Sequence, residues 1–478
     1  MSRLFLGFDE HGEVFDRETL VYRKVSEGYK AQVSQLHRLY RDNALASKGI
    51  VETTLRDDGD LEHRRLVTTY PYEWPANMYK DAVLFHLGLF VELDKAGLTL
   101  KDALPNNVLF EHTSPVFVDF LSLVPADRLK DSAWLGAAGY ADARFAVVEK
   151  MLLPYLLLPL LFFARCDSGT ARDLLSTRSC NTDGAPPSWR ELLRPPAGRG
   201  LWRRYLRTLA AAAAILPARQ GSHRKSPAAF RSLIGRLMRV VRDLDVTPPL
   251  SGYSSYYDEK REALSLADSA SFLPKQKTVH DILRARAPGS VLDVGANTGW
   301  YSALAGGLGA SVIALEEDES CIDILYKRAK RERLRILPLK ASFAGLTTEI
   351  HGAKALAREY ADRGAGRNPL YRAGANRLDA DLVLVLGLLH HLVLGEGRSM
   401  DSVFEILAKL TRRTLVLEFV SLDDEKVRES PDFFPNLRKQ RRATYNLEKT
   451  LAAGRRHFRS AEVRASNPST RIILVFDK

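Results

Sequence analysis

The chain has 478 residues, of which 45% are hydrophobic and 27% charged, and a formal net charge of +12. That length exceeds what one core serves and predicts about three domains, while the composition is globular and excludes a low-complexity chain. Three cysteines, Cys166, Cys180 and Cys321, show no metal-ligand spacing and no even disulfide framework, so a reducing, cytoplasmic setting is expected. The first eight residues hold no apolar core of a secretory signal, and Asp9 and Glu10 follow them directly.

Residues 1–150 carry 18 Lys and Arg against 23 Asp and Glu, a mildly acidic balance. Within them, Leu98-Thr-Leu-Lys-Asp102 is followed five residues later by Asn107 and then by the apolar Val108-Leu-Phe110. A second apolar run, Pro115-Val-Phe-Val, ends in Asp119-Phe-Leu121. These two segments resemble the catalytic loop and the metal-binding Asp-Phe-Gly strand of protein-kinase-like phosphotransferases, with a hairpin between them. The resemblance implies an α+β scaffold over residues 1–175. It also implies roles for Asp102, Asn107 and Asp119 in holding ATP and Mg²⁺, with Lys24 at the position of the strand lysine. The departures are Leu100 where a histidine is usual, Leu121 where glycine is usual, and no Gly-rich phosphate loop in residues 1–50. They favour a pseudokinase that binds a partner or substrate. The alternative is a chance Asp–Asn spacing in a βαβ-like fold.

The run Met151–Ala164 is strongly apolar but only 14 residues long, and Pro154 and Pro159 interrupt it. A membrane span needs about 20 apolar residues, so a buried core helix, or two short ones, is expected. Residues 176–250 form a linking segment, with a Pro-, Gly- and Ser-rich loop at 176–200 and helical stretches at Trp202–Ile215 and Pro227–Leu244. Residues 151–250 carry 16 Lys and Arg against 6 Asp and Glu. Arg231, Arg236, Arg239 and Arg242 interleave with Leu233, Ile234, Leu237, Met238 and Val241 at helical spacing. Such a helix suits an anionic membrane surface or RNA. The plainer alternative is a solvated arginine face on a helix packed by its other side.

After Pro248-Pro249 the pattern changes to α/β. A helix through Val279–Ala287 precedes strands expected at 290–294, 311–316, 335–339, 381–386 and 414–419, and a hairpin closes the chain at 461–465 and 470–476. The first strand runs into Asp293-Val-Gly295-Ala-Asn297-Thr-Gly299, and the second ends in Glu316, 21 residues beyond Gly295. A Gly-rich turn after a strand lets backbone approach a ligand, and an acid at that distance can accept both ribose hydroxyls. Glycine is missing at 297 and 300, so this is not a dinucleotide fingerprint.

The combination resembles class I S-adenosylmethionine (SAM) methyltransferases, and implies a Rossmann-like seven-stranded sheet over residues 251–478. It implies SAM as cofactor, with Asp293 in the motif, Gly295, Asn297 and Gly299 at the methionine part, and Glu316 on the ribose. Ser342 would lie near the adenine, where the family often has an acid, and Leu386 and Gly387 under the cofactor. His390 or His391, after the fourth strand, could take a proton from an acceptor hydroxyl. As neighbours, the two are expected to point to different sides. Glu418 is a further candidate for catalysis; alternatively it is a hydrogen-bonded structural acid. No third ligand beside the histidines points to a metal. A weak helix at His351–Tyr360 reads as an insertion over the site.

Together, the kinase-like region, basic helices and SAM-binding region resemble bacterial NoeA-like two-part methyltransferases from Tyr72 to Lys478, with Tyr256-Tyr257 upstream and Glu418-Phe-Val after the fifth strand. The expectation is O-methylation of a small molecule or glycan. The alternatives are a bifunctional kinase–methyltransferase acting on a glycan end, a non-catalytic regulatory protein, and an RNA methyltransferase. The last lacks an Asn-Pro-Pro-Tyr-type segment after the fourth strand, where Gly387-Leu-Leu-His390 stands.

Overall fold

The computed structural model describes residues 2–3, 11–17, 19–131, 135–136, 139–178, 189–196, 199–216, 224–255, 266, 268–349, 372–429 and 444–478. The sequence readings at Cys180, Tyr256-Tyr257 and His351–Tyr360 lie outside them. Two compact units divide between Pro248 and Pro249, a few residues beyond the end of the last helix of the first unit at Asp243.

The first unit opens with an antiparallel sheet of strands β1 (Ser2–Arg3), β2 (Gly12–Asp16), β3 (Leu20–Val25), β4 (Thr53–Leu55) and β5 (Leu61–Arg64), ordered β1-β2-β3-β5-β4. Helix α1 (Lys30–Asp42) joins β3 to β4 and buries Val33, Leu36 and Tyr40. Helix α2 (Ala76–Lys95) follows, with ten buried residues. After it come β6 (Leu98–Leu100), the hairpin β7 (Val108–Glu111) and β8 (Ser114–Phe117), and β9 (Leu123–Pro125), which returns to pair with β6.

The apolar run expected as core is one continuous helix, α3 (Arg144–Ala164), whose most apolar window is 78% buried. Its prolines do not split it, because the turns from Val148 to Leu157 widen to the π form, which absorbs Pro154. Helices α4 (Trp202–Ile215) and α5 (Pro227–Asp243) belong to this unit. Ser226 caps α5 by accepting from Ala229 N, and its apolar face (Phe230, Leu233, Ile234, Leu237, Val241) is buried. The apolar side of this helix is therefore core, as in the plainer alternative, and Arg231, Arg236, Arg239 and Arg242 are exposed on the other side.

The second unit is a seven-stranded sheet. Strands β10 (Ser290–Val294), β11 (Ser311–Glu316), β12 (Ile336–Lys340), β13 (Ala380–Val385) and β14 (Thr411–Val420) are parallel, and the hairpin β15 (Ser460–Ala465) and β16 (Arg471–Asp477) adds two antiparallel strands. The order is β12-β11-β10-β13-β14-β16-β15. The central strands are continuous apolar runs because helices cover both faces of a parallel sheet. Val291, Val312, Leu382, Val416 and Ile473 from five strands share one core cluster. Each such side chain contributes roughly 1.5–3 kcal/mol on burial.

Helices α6 (Pro274–Arg286), α7 (Trp300–Gly307) and α8 (Glu319–Glu332) lead into or follow the first strands. Asp318 starts α8 by accepting from Ser320 N and Cys321 N, both at 2.9 Å. Helices α9 (Met400–Leu410) and α10 (Leu447–Arg455) also belong to this unit.

Candidate functional site

Sheet order reverses between β10 and β13, and open α/β sheets bind ligands at such a switch point, outside the strand ends. Here the loop after β10 meets the turn after β13. Gly295 has φ +81°, and a Cβ there would stand 3.5 Å from Leu388. Gly299 has φ +82°, and a Cβ would come within 2.3 Å of the buried Leu325 side chain. This glycine lets α7 start tight against α8. Both Gly295 N and Ala296 N donate to Leu315 O at 2.9 Å, tying the loop to β11.

Glu316, at the end of β11, spans the two loops. One of its oxygens accepts from Asn297 N at 2.7 Å and the other from Asp318 N at 2.8 Å. Burial raises its pKa, and those backbone donors oppose the shift. A carboxylate has about four lone-pair sites, so each oxygen keeps room for one hydroxyl. Asn297, itself at φ +52°, uses its side chain to brace the loop: Nδ2 donates to Tyr253 O at 3.1 Å and Oδ1 accepts from Thr298 N. Burial, then the charges of Asp318 and Glu316, raises the Tyr253 pKa above its ordinary value. It was missed in the sequence because it lies in coil with no pattern around it.

Asp293 is 3% exposed and accepts from Ser302 Oγ at 2.6 Å, so its carboxyl clamps β10 to α7 from below the loop. Burial pushes its pKa up to about 6. Ser342 accepts from Gly345 N, shaping the turn after β12. Leu386 packs against the core cluster. Gly387, at φ +68°, would place a Cβ 3.6 Å from Glu418 Oε2. The turn after β13 thus passes directly over Glu418.

Glu418 is fully buried in β14, accepting from Lys275 Nζ at 2.7 Å and Ser466 Oγ at 3.2 Å. Lys275 Nζ also lies 5.4 Å from the Tyr301 ring centroid. A lysine in the first turn of a helix reads as solvated in sequence, so this ion pair carried no signal there. His390 is buried while His391 is half-buried, and their rings are 4.2 Å apart. The expectation that they face different sides is corrected: the chain turns helically here, and adjacent side chains on a turn are only about 100° apart. Burial holds the His390 pKa well below the ordinary value, helped by His391 and Arg471, with Asp424 opposing. Burial lowers His391 as well. Beyond β14, Arg471 donates to both oxygens of buried Asp424 at 2.8 and 3.0 Å, and Asp424 falls to about 2 despite its burial.

In the first unit, the strand alternation of β3 turns Arg23 inward and leaves Lys24 exposed. Lys24 is therefore not the inward strand cation; Arg23 is, and its Nη2 donates to Asp119 at 3.1 Å. Asp102 Oδ1 accepts from Leu104 N, and Asn107 Nδ2 donates to the Asp102 carbonyl at 3.3 Å. Burial, then the charge of Asp119, pushes the Asp102 pKa up to about 6. No group of three His, Cys, Asp or Glu suited to a metal occurs among the described residues. With a guanidinium already on Asp119, these residues do not fit a Mg²⁺ ion as they stand.

The sheet order, glycine loop and acid of the second unit have the arrangement that the sequence resemblance to class I SAM-dependent methyltransferases implies. No family model matches the chain. Over 456 residues it is 25% identical to nodulation protein NoeA of Rhizobium meliloti (strain 1021), a match covering 88% of this chain and 85% of that protein. Among solved structures, it is similar to a TehB-like SAM-dependent methyltransferase from Corynebacterium glutamicum, at 13% identity and a TM-score of 0.29, covering 47% of this chain and 97% of that one. Magnesium protoporphyrin IX methyltransferase from Synechocystis PCC 6803, with bound SAH, aligns at 16% identity and a TM-score of 0.25, covering 42% and 81%. The bifunctional kinase–methyltransferase WbdD aligns at 16% and 0.24, and the match spans 42% of this chain and 38% of WbdD.

Proposed function

We propose that the chain is a SAM-dependent methyltransferase whose second unit methylates an oxygen nucleophile on a small molecule or glycan. The observation that carries this reading is Glu316, held by two backbone N–H groups at the switch point with lone pairs left for two hydroxyls. When bound there, SAM supplies an electrophilic methyl group on sulfur. Gly295 and Gly299, both at positive φ, let the loop turn tightly at the end of β10, and Gly387 does the same at the end of β13. Burial, then the neighbouring His391, favours the neutral form of His390, whose ring can accept a hydrogen bond from an acceptor hydroxyl and orient it. Much of the rate would come from positioning acceptor and methyl in line. Glu418, neutralised by Lys275, serves to support the Gly387 turn.

The first unit we read as a kinase-like scaffold of pseudokinase type. Its support is a five-stranded antiparallel sheet with a helix after the third strand, then the ordered run β6, Asp102–Asn107, hairpin, Asp119. Helix α1 contains no glutamate, and Arg23 occupies Asp119. Those two features weigh against the second reading, a bifunctional enzyme that phosphorylates a glycan end, which requires Mg²⁺-dependent ATP binding lost in Asp119→Ala.

Calorimetric titration of SAM into the purified chain tests the main reading. Micromolar binding, weakened tenfold or more in Glu316→Ala, is expected. Absence of binding by the wild type overturns it.

A further inference from the structure

We propose that the outer face of helix α4 docks the protein onto an anionic lipid surface. On this helix Tyr205, Thr208, Ala212 and Ile215 point inward. Trp202 and Leu206, one turn apart, are 43% and 58% exposed, and Leu216 at the helix end is 38% exposed. Ala210 and Ala213 are exposed on the same side. Leu193, 63% exposed, lies in a neighbouring segment tied to the helix, where Tyr205 Oη donates to its carbonyl at 2.7 Å. The Trp202 ring stands edge-on to Tyr205, 5.5 Å between centroids, which orients the indole. Four of the largest exposed apolar side chains thus converge on one helix and the turn beside it.

The charges bordering this face are mainly positive, the acids being Glu191 beside Arg190 and Asp245, which pairs with Arg204 at 3.6 Å. Helix α4 contains no acid, and Arg203 and Arg207 are exposed along one flank of the apolar stripe. Arg190 and Arg194, in the segment that carries Leu193, are also exposed. By contrast, Arg204 is spent inside the fold, donating to the carbonyls of Ala164, Asp245 and Thr247. An indole and leucines flanked by guanidinium groups match a headgroup boundary, where the apolar part enters the acyl edge and arginines meet anionic headgroups.

Other occupants fit less well. RNA would engage the arginines but leave the Leu and Ala stripe in water. A second copy packed by two-fold symmetry would oppose the same basic flank to itself. The sequence pattern points to α5 for such a role, but its apolar residues are buried, whereas Trp202, Leu206 and Leu216 of the α4 segment are exposed.

The test uses the full chain and co-sedimentation with vesicles of phosphatidylcholine alone or with about 30% phosphatidylserine. Partitioning at least tenfold stronger onto the anionic vesicles is expected. Leu206→Asp, at an exposed position, should weaken it at least tenfold with unchanged thermal unfolding, and Arg203→Glu with Arg207→Glu should erase the preference for anionic lipid. A wild type that stays in the supernatant overturns the proposal, as does a Leu206→Asp variant that binds like wild type. Light scattering that shows a dimer dispersed by Leu206→Asp, without vesicle binding, assigns the face to a second copy and equally overturns it.

Discussion

Each unit places an acid at or just beyond the end of a strand, in a segment that resembles a ligand-binding motif, yet the two acids are differently engaged. Glu316 is held by backbone N–H groups alone, which orient it while leaving its charge and half its lone pairs for a ligand. Asp119 is met by the guanidinium of Arg23, which neutralises it before any cation arrives. Glu418, with Lys275 on it, belongs with Asp119. An acid oriented by amides is poised to bind, whereas an acid paired with a cation is part of the framework, and the motif around it does not reveal which.

The largest effect should follow from breaking a paired acid. Lys275→Met leaves Glu418 buried without its cation and should cost about 3–5 kcal/mol in denaturant unfolding, whereas Lys275→Met with Glu418→Leu should recover most of it. Equal losses in the single and double variants would show the pair to be incidental. Gly299→Ala should cost about 2–4 kcal/mol, from a forced left-handed residue and a Cβ driven into Leu325. A melting temperature within a degree or so of wild type, against the several degrees such a loss implies, would contradict the close packing of α7 on α8.

Asp293 supplies a pH test. Its folded pKa, about 6, lies above the ordinary carboxyl value of 3.8. Its contribution to stability is therefore fully present below 3.8 and is lost as pH rises through 6, by at most about 3 kcal/mol. Thermal unfolding followed across that window should show a slope that Asp293→Asn flattens.

Smaller still, Glu316→Ala should weaken SAM tenfold or more, about 1.4 kcal/mol, with little change in unfolding. A large stability loss instead would move Glu316 into the framework class. Finally, manganese titration followed by electron paramagnetic resonance should find no site in the wild type. Arg23→Ala, which frees Asp119, should create weak binding, and tight binding in the wild type would break the contrast between the units.

Much of the second unit was readable in the residues. All five parallel strands and the closing hairpin lie where apolar runs put them, within a few residues, because strands buried on both faces must be continuously apolar. Gly295 and Gly299 announced a tight turn, and each does adopt positive φ. The engagement of the side chains was not readable. Lys275 reaches Glu418 across 143 positions and Arg23 reaches Asp119 across 96, and no local pattern encodes partners so distant.

The sequence by itself determined where strands, helices and tight turns form, since these follow from periodicity, caps and glycine over a few residues. Tertiary structure alone decided that Arg23 rather than Lys24 faces the Asp119 site, that α5 is buried while α4 shows its apolar face, and that His390 and His391 touch. Those outcomes depend on which elements pack together, and a side chain's charge state, partner and exposure are properties of its neighbours in space.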